Sequence, residues 1–250
     1  MFKGYNPFAN AGAHYYDSVA ETVGAHTTTT GFADSKEGSI SVFFKPDEFS
    51  ADIRRILWFN QTTGFLNLRL QFEQLGATII CVASTGTFPT LTTIFQATIG
   101  GLLLGRFNHV AVSWNGATGA YSMKMNRGGT PTLDTAPANT NTIWTCGNYN
   151  FGGSPPALTS EPTMTKGAIE AFWLDNAFRD FGNTAILDEY VTIDMLPSKK
   201  IAADGSTPTH GQPKIWFPNG DCRANDGSTA DFPMASGTPS AVDGAWKYNI

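Results

Sequence analysis

Two acidic side chains, Glu170 and Asp175, lie in the apolar stretch EAFWLD, and facing carboxylates are what glycoside hydrolysis requires. In a retaining glycosidase one carboxylate attacks the sugar while the other protonates the leaving group, at a separation of about 5 to 5.5 Å. Side chains alternate between faces along a strand, so an odd separation of five residues places Glu170 and Asp175 on opposite faces. We therefore expect Glu170 to face solvent and Asp175 to end the strand.

The four histidines carry no signature of a metal site or of a nucleophile's base. His109 stands alone in the alternating stretch NHVAVSW, which predicts a partly buried strand histidine held by a hydrogen bond. His14, His26 and His210 are isolated and share no spacing typical of metal ligands. The sequence also lacks the GxSxG, P-loop and GxGxxG motifs, and we predict that the protein is not an enzyme.

The residues around these side chains alternate as β-strands do. Between positions 65 and 73 the apolar residues take mostly even positions and the polar residues odd ones, which predicts a strand with one buried face. Residues 106–129 repeat the alternation on both sides of NGATG, which predicts a hairpin with Val110 and Val112 on one face and His109 on the other. About ten such stretches and one short helix at 183–191 predict an all-β, antiparallel two-sheet sandwich.

Composition agrees with a β-rich chain and excludes several classes of partner. Charged residues make up 15% of the 250 residues, while 26 Gly and 14 Pro favour turns. The net charge is −5 and no basic run exceeds two residues, so we predict no nucleic-acid partner. Three cysteines without a CxxC pair are expected to be free, buried thiols. No apolar run is long enough to cross a bilayer, and we predict no membrane insertion.

The N-terminal residues 1–35 differ from the rest, because they are aromatic, rich in Gly, Asn and Thr, and aperiodic. We interpret them as an extended arm that precedes a single domain at 36–250, with no secretory signal ahead of it. Buried aromatic side chains are the usual anchors of protein interfaces. The predicted interface residues are Phe2, Tyr5, Phe8, Tyr15, Tyr16 and Trp246. The other five tryptophans fall inside strand patterns and are expected in the core.

The order of the strand motifs resembles the concanavalin A-like, LamG-type jelly roll. The stretches GSISVFFKPDEF, RRILWFN, GRFNHVAVSWNGATGAYSMKMN and GAIEAFWLD follow one another as they do in that family. The stretches AADGSTPTHGQPKIWFPNG and ANDGSTADFPMASGT resemble a variant of the fold in virion proteins of tailed bacteriophages. The resemblance implies a jelly-roll sandwich, and the E-x-D-x-E motif of the family's glucanases has no match here.

For function the resemblance implies a bacteriophage virion structural protein, such as a capsid decoration, fibre or tail-associated protein. Its partners would be other virion proteins and copies of itself, and it would be located on the virion after synthesis in the host cytoplasm. The alternative is an adhesin on the same fold that binds glycans of the host surface.

The one ion that the resemblance implies is calcium, which many relatives bind with Asp, Asn and backbone oxygens. The candidate ligands are Asp221, Asn225 and Asp226 in the turn NGDCRANDGS, with a second candidate group at 175–180. Oxygen ligands on a turn suit a hard cation. The same residue types also form turns without an ion, and that alternative stays open.

Overall fold

Nearly all regular structure in the described part of the chain is β-strand. The computed structural model describes residues 13–16, 23–26, 33–49, 51, 54–60, 68–86, 91–142, 144, 148–151, 166–221, 224–229, 234–236 and 240–242. The strands are β1 (Ala13–Tyr16), β2 (Val23–His26), β3 (Glu37–Pro46), β4 (Arg54–Asn60), β5 (Leu68–Leu75), β6 (Thr78–Thr85), β7 (Thr92–Gly100), β8 (Asn108–Asn115), β9 (Ala120–Met125), β10 (Thr132–Thr135), β11 (Asn148–Phe151), β12 (Gly167–Asp175), β13 (Ile215–Phe217), β14 (Met234–Ser236) and β15 (Ser240–Val242). One short helix, α1 (Thr184–Leu187), accompanies them, and no helix in these ranges is long and apolar enough to span a membrane.

The strands form two antiparallel sheets. The seven-stranded sheet has the order β15-β1-β12-β3-β8-β9, with β13 also paired to β12. The eight-stranded sheet has the order β10-β7-β6-β5-β4-β11-β2-β14. The prediction of an all-β, antiparallel two-sheet jelly-roll sandwich is confirmed, as is the strand assignment of RRILWFN at 54–60.

The main core lies between the two sheets and follows the predicted alternation. Val110, Val112 and Trp114 of β8 are buried there, whereas Ala111 packs in a second cluster on the opposite face. In the eight-stranded sheet, Phe72 and Cys81 are buried in the main core at paired positions of β5 and β6. Burial raises the pKa of the Cys81 thiol, so this side chain behaves as a small apolar residue.

A third layer covers the outer face of the seven-stranded sheet. We call residues 176–214 the covering layer; it contains α1 and a series of turns. Its apolar side chains, among them Phe181, Leu187 and Tyr190, pack with Trp173 in the second core cluster. All nine residues of β12 are buried, because one sheet face meets the main core and the other meets this layer.

Backbone oxygens of the covering layer accept hydrogen bonds from side chains of the sheet. The indole N–H of Trp173 donates to the Gly205 oxygen at 2.9 Å, and the hydroxyl of Ser39 donates to the Ala177 oxygen at 2.6 Å. Buried polar groups stabilise a fold only when they are paired in this way. These bonds therefore fix the position of the layer on the sheet.

Two stretches of the segment that we interpret as an arm are strands of the sandwich. β1 pairs with β12 and β15 in the seven-stranded sheet, and Ala13 is fully buried. β2 pairs with β11 and β14 in the eight-stranded sheet. The chain between residues 13 and 26 thus contributes one strand to each sheet. The domain boundary at residue 35 itself stays a prediction.

A stack of aromatic rings fills the core beside Gly38 of β3. Trp114 stacks on Phe95 with ring centroids 5.3 Å apart and on Trp144 with centroids 5.8 Å apart. Gly38 is paired with Trp114 across the sheet, and a Cβ atom at Gly38 would lie 2.3 Å from the Trp114 ring and 2.7 Å from Trp144. Only glycine therefore leaves room for the stack.

We predict that Gly38→Ala lowers the free energy of unfolding by about 1 to 3 kcal/mol, because the added methyl group forces the stacked rings apart. Urea denaturation followed by tryptophan fluorescence measures the effect. Gly211→Ala is the matched control, since nothing lies within 4 Å of a Cβ atom at that position. Equal midpoints for both variants and the wild type would contradict the packing argument.

Candidate functional site

The outer face of the eight-stranded sheet carries a row of polar side chains. Gln71 of β5 pairs with Val82 of β6, Val82 pairs with Gln96 of β7, and Gln96 pairs with Thr135 of β10. Directly opposed residues of antiparallel strands share a face, so these four form one line, which we call the amide row. All four are partly exposed, and the residues on either side of Gln71, Val82 and Gln96 along their strands are buried.

Strands β4 and β11 extend the eight-stranded sheet beyond Gln71. The backbone register places Trp58 of β4 opposite Gln71, and Asn150 of β11 opposite Trp58. The tryptophans at 114, 144, 173 and 216 are fully buried, as the strand patterns predict. For Trp58, whose backbone pairs with Gln71, the expectation of a core position stays a prediction.

A second row on the same face is also poor in charge. Ile80 pairs with Thr98, and Thr98 pairs with Thr132. Glu73 takes the next position of this row, opposite Ile80. The alternating sequence pattern predicts that Glu73 faces solvent, but its side chain is only 3% exposed. The face thus presents hydroxyl, carboxamide and aliphatic groups and few charges.

These side chains are suited to a ligand rich in hydroxyl groups. A carboxamide donates two hydrogen bonds and accepts two, so it can bind neighbouring hydroxyls as donor and acceptor at once. Adjacent strands are about 4.8 Å apart, which places Gln71 and Gln96 about 10 Å apart across β6. The row is therefore long enough to contact an extended ligand at two points.

The outer face of the seven-stranded sheet differs, since the covering layer closes it around a buried ionic network. The guanidinium of Arg179 donates to Glu189 at 3.1 Å, and both side chains are less than a tenth exposed. The hydroxyls of Thr207 and Thr209 donate to the same carboxylate at 2.5 and 2.8 Å. Arg179 also donates to the backbone oxygen of Thr209 at 3.3 Å. The charged groups of Arg179 and Glu189 are therefore both held by hydrogen bonds.

His210, which the sequence placed alone in a loop, belongs to the same network. Its Nε2 lies 2.6 Å from a carboxylate oxygen of Asp175, and its Nδ1 lies 3.4 Å from Nη1 of Arg179. The neutral tautomer with hydrogen on Nε2 fits both contacts, because Nδ1 then accepts from the guanidinium. The ring also meets the edge of Trp173. Sequence spacing gave no signal for this cluster, because its members come from β12 and from distant turns.

The structure corrects the expectation for the two candidate carboxylates. Glu170 is 1% exposed and does not face solvent, because β12 is covered on both faces. The register to β3 shifts between Glu170 and Trp173, where Ala171 has a φ of 50°. Phe43 pairs with Glu170 and packs in the second core cluster, so Glu170 lies on the covered face, as Asp175 does.

The shared face does not bring the two carboxylates within catalytic distance. Glu170 pairs with Phe43 and Asp175 pairs with Ser39, four residues away on β3. At about 3.3 Å per residue the two positions are about 13 Å apart, beyond the roughly 5 to 9.5 Å of glycosidase pairs. The absence of enzymatic activity stays a prediction, with this separation in its favour.

His109 is fully buried and its ring lies 2.9 Å from the Ser41 hydroxyl through Nε2. Burial, with a smaller contribution from the positive charge of Arg127, lowers the pKa of His109 to about 3. The predicted hydrogen-bonded strand histidine is therefore present and neutral. Its Nδ1 has no hydrogen-bond partner among the described residues, so no carboxylate orients it as a catalytic base.

The candidate calcium ligands lie in the turn after β13. The side-chain oxygen of Asn225 accepts the backbone N–H groups of Trp216 at 2.8 Å and Gly227 at 3.0 Å. A carbonyl oxygen has two lone pairs, so this arrangement of Asn225 does not fit a calcium ligand. Among the described residues no three His, Cys, Asp or Glu side chains group as metal ligands. That Asp221 and Asp226 bind an ion stays a prediction.

The predicted interface residues fall into two groups. Phe2, Tyr5, Phe8 and Trp246 lie outside the described residues. Tyr15 and Tyr16 are strand residues of β1, paired through their backbones with Ala168 and Gly167.

Comparison with known proteins gives a fold but no family. No protein-family model matches the chain, and no curated protein matches it. A candidate carbohydrate-binding protein from Bacteroides ovatus is similar with a TM-score of 0.56 at 10% identity, over 94% of this chain and 60% of that chain. A structure described as NanB plus Optactamide is similar with a TM-score of 0.52 at 10% identity, over 70% of this chain and 27% of that chain. This chain thus spans less than two thirds of either protein, and the likeness shows the shared sandwich alone.

Breaking the buried ionic network is predicted to destabilise the fold. Arg179→Met leaves the Glu189 carboxylate buried without its cation, and we expect the free energy of unfolding to fall by about 3 to 5 kcal/mol. The control is Asp47→Asn at the more exposed Lys45–Asp47 pair, where we expect a loss below about 1 kcal/mol. Urea denaturation compares the two, and a wild-type midpoint for Arg179→Met would contradict the role of the network.

The lowered pKa of His109 predicts how the free energy of unfolding depends on pH. In the unfolded chain its pKa returns to about 6.5, so between pH 6.5 and 3 the unfolded state binds a proton that the folded state does not. The stabilisation that the folded state gains from keeping His109 neutral is fully present above about pH 6.5. It is lost as pH falls, by up to about 1.4 kcal/mol of unfolding free energy per pH unit. Urea denaturation from pH 4.5 to 7.5 should show a steeper acid loss for the wild type than for His109→Gln. Parallel curves would refute the prediction.

Proposed function

We propose that this protein is a glycan-binding β-sandwich domain, which binds extended, uncharged sugar chains on the outer face of its eight-stranded sheet. The observation that carries the proposal is the amide row, in which Gln71 and Gln96 are held at a fixed separation by three paired strands. A row on rigid strands is preorganised, so a ligand that bridges it does not have to order the protein first.

The chemistry of the face supports a sugar over other ligands. Its side chains offer hydroxyl and carboxamide groups, with Asp134 as an exposed carboxylate that lies 3.4 Å from the Gln96 amide nitrogen. A phosphate-rich ligand would require a concentration of Lys and Arg, and the net charge of −5 opposes it.

Binding without hydrolysis agrees with the placement of the carboxylates. Glu170 and Asp175 lie under the covering layer, on the sheet face that a ligand does not reach. The similar sandwich from Bacteroides ovatus is itself described as a candidate carbohydrate-binding protein. This likeness agrees with the proposal, although shared fold alone does not fix a ligand.

The location of the protein on a bacteriophage virion is a further proposal. It rests on the resemblance of residues 202–220 and 224–238 to virion proteins of the same fold. A glycan-binding domain on a virion would attach the particle to its host, so the structural role and the adhesin role are compatible. Imaging of intact particles with labelled protein tests this placement.

A glycan array with the purified protein tests the proposed function. We expect selective binding of one group of neutral oligosaccharides, and we expect the double variant Gln71→Ala/Gln96→Ala to weaken it about tenfold or more through the loss of two hydrogen-bonding sites. Gln212→Ala removes an exposed carboxamide from the covering layer and serves as the matched control. The proposal would be wrong if the protein bound no sugar at millimolar concentration, or if Gln212→Ala lost as much affinity as the double variant.

A further inference from the structure

A cavity of about 270 Å³ opens at one end of the sandwich. It lies between the loop after β7, the turn after β9 and residues 193–195 of the covering layer. Leu103 and Ile193 form part of its wall, and Ile193 is 80% exposed. Its lining residues come from the β7–β8 loop, the β9 turn and the covering layer and include none of the amide row, so the proposed glycan site does not account for the cavity.

The same end of the molecule carries the exposed apolar side chains. The large hydrophobic residues that are exposed in the described part of the chain are Phe49, Leu75, Leu103, Leu104 and Ile193. Backbone hydrogen bonds join the loops of the first four: Gly105 N–H donates to the Pro46 oxygen, and Leu102 N–H donates to the Ala77 oxygen. Ile193 lines the same cavity as Leu103. Single exposed apolar residues are ordinary, but a set gathered at one end marks an interaction surface.

Two charges of opposite sign line the cavity without partners. Arg106 and Asp194 are exposed, and neither side chain makes an ion pair or hydrogen bond to any residue that the structure describes. The neighbouring Arg127 differs, since it pairs with Asp188 and donates to the Val191 oxygen at 2.7 Å. The patch therefore offers one unpaired cation and one unpaired anion beside an apolar cavity.

The backbone around the cavity is held in sparsely populated conformations. Asn126 and Met195 have φ values of 51° and 60°, in the left-handed region that side chains rarely adopt. Asn126 is fixed there, because its side-chain oxygen accepts the His109 N–H at 2.9 Å and its amide donates to Asn108 at 3.0 Å. Strain that the surrounding bonds maintain is typical of binding surfaces. The Asn126 part of the cavity wall is thus fixed by hydrogen bonds within the chain.

We propose that this end is the interface of a homodimer in which two copies meet about a twofold axis. Ile193 of each copy enters the cavity of the other, and Arg106 of each copy pairs with Asp194 of the other. A twofold contact requires a self-complementary patch. The patch meets that requirement, because it holds an exposed apolar side chain (Ile193), a cavity, and one charge of each sign (Arg106 and Asp194).

A charge swap tests the pairing directly. Analytical ultracentrifugation over a concentration series should show a dimer for the wild type, and Arg106→Asp or Asp194→Arg alone should weaken dimerisation about tenfold or more. The double variant Arg106→Asp/Asp194→Arg restores the pairs with their signs exchanged and should recover the dimer. Lys199→Glu reverses an exposed charge elsewhere in the covering layer and should leave the dimer intact.

Ile193→Asp provides a test that does not depend on the ion pairs, because it places a charge in the partner's cavity and should give a monomer. Circular dichroism of each variant shows that the sandwich is folded. A wild-type protein that stays monomeric to millimolar concentration overturns the proposal, and so does a charge-swapped protein that remains monomeric. The glycan proposal is unaffected by either result, since it concerns the outer sheet face.

Discussion

Burial of the seven-stranded sheet on both faces is the constraint on which the rest of the molecule depends. One face closes the main core, and the covering layer closes the other with its own apolar cluster. Buried charged groups on the covered face are stabilised by partners, as Arg179 is by Glu189, and Asp175 is likewise bonded to His210. The same burial keeps His109 neutral and separates it from solvent. Ionisable groups in this region hold layers together and are unavailable to a ligand.

We therefore look for ligand contacts on the two surfaces that lie outside the covered sheet face. The eight-stranded sheet has no covering layer among the described residues, and its outer side chains remain partly exposed along β6 and β7. The loops at one end of the sandwich carry the apolar side chains and unpaired charges. The two surfaces differ in chemistry, since the face is rich in hydroxyl and carboxamide groups while the end combines exposed aliphatic side chains with two charges. One surface suits a sugar chain and the other suits a protein.

Local pattern was sufficient for the strands and for many of their faces, because alternation depends only on neighbouring residues. It predicted the β8–β9 hairpin and the outward position of Gln71. It could not predict the irregularity at Ala171, which shifts the register of β12 and moves Asp175 to the face of Glu170. It also missed the covering layer, whose contacts join turns to strands far apart in sequence. The amide row required the alignment of three strands, and Gln96 has no local signal that links it to Gln71.

The most direct test of the account is a titration of isotopically labelled protein with the sugar that the array selects, followed through the side-chain amide resonances in NMR spectra. We predict that the carboxamide signals of Gln71 and Gln96 shift together and saturate at one affinity, while that of Gln212 stays in place. Shifts confined to the covering layer or to the loops around the end cavity would contradict the assignment of the ligand to the eight-stranded sheet.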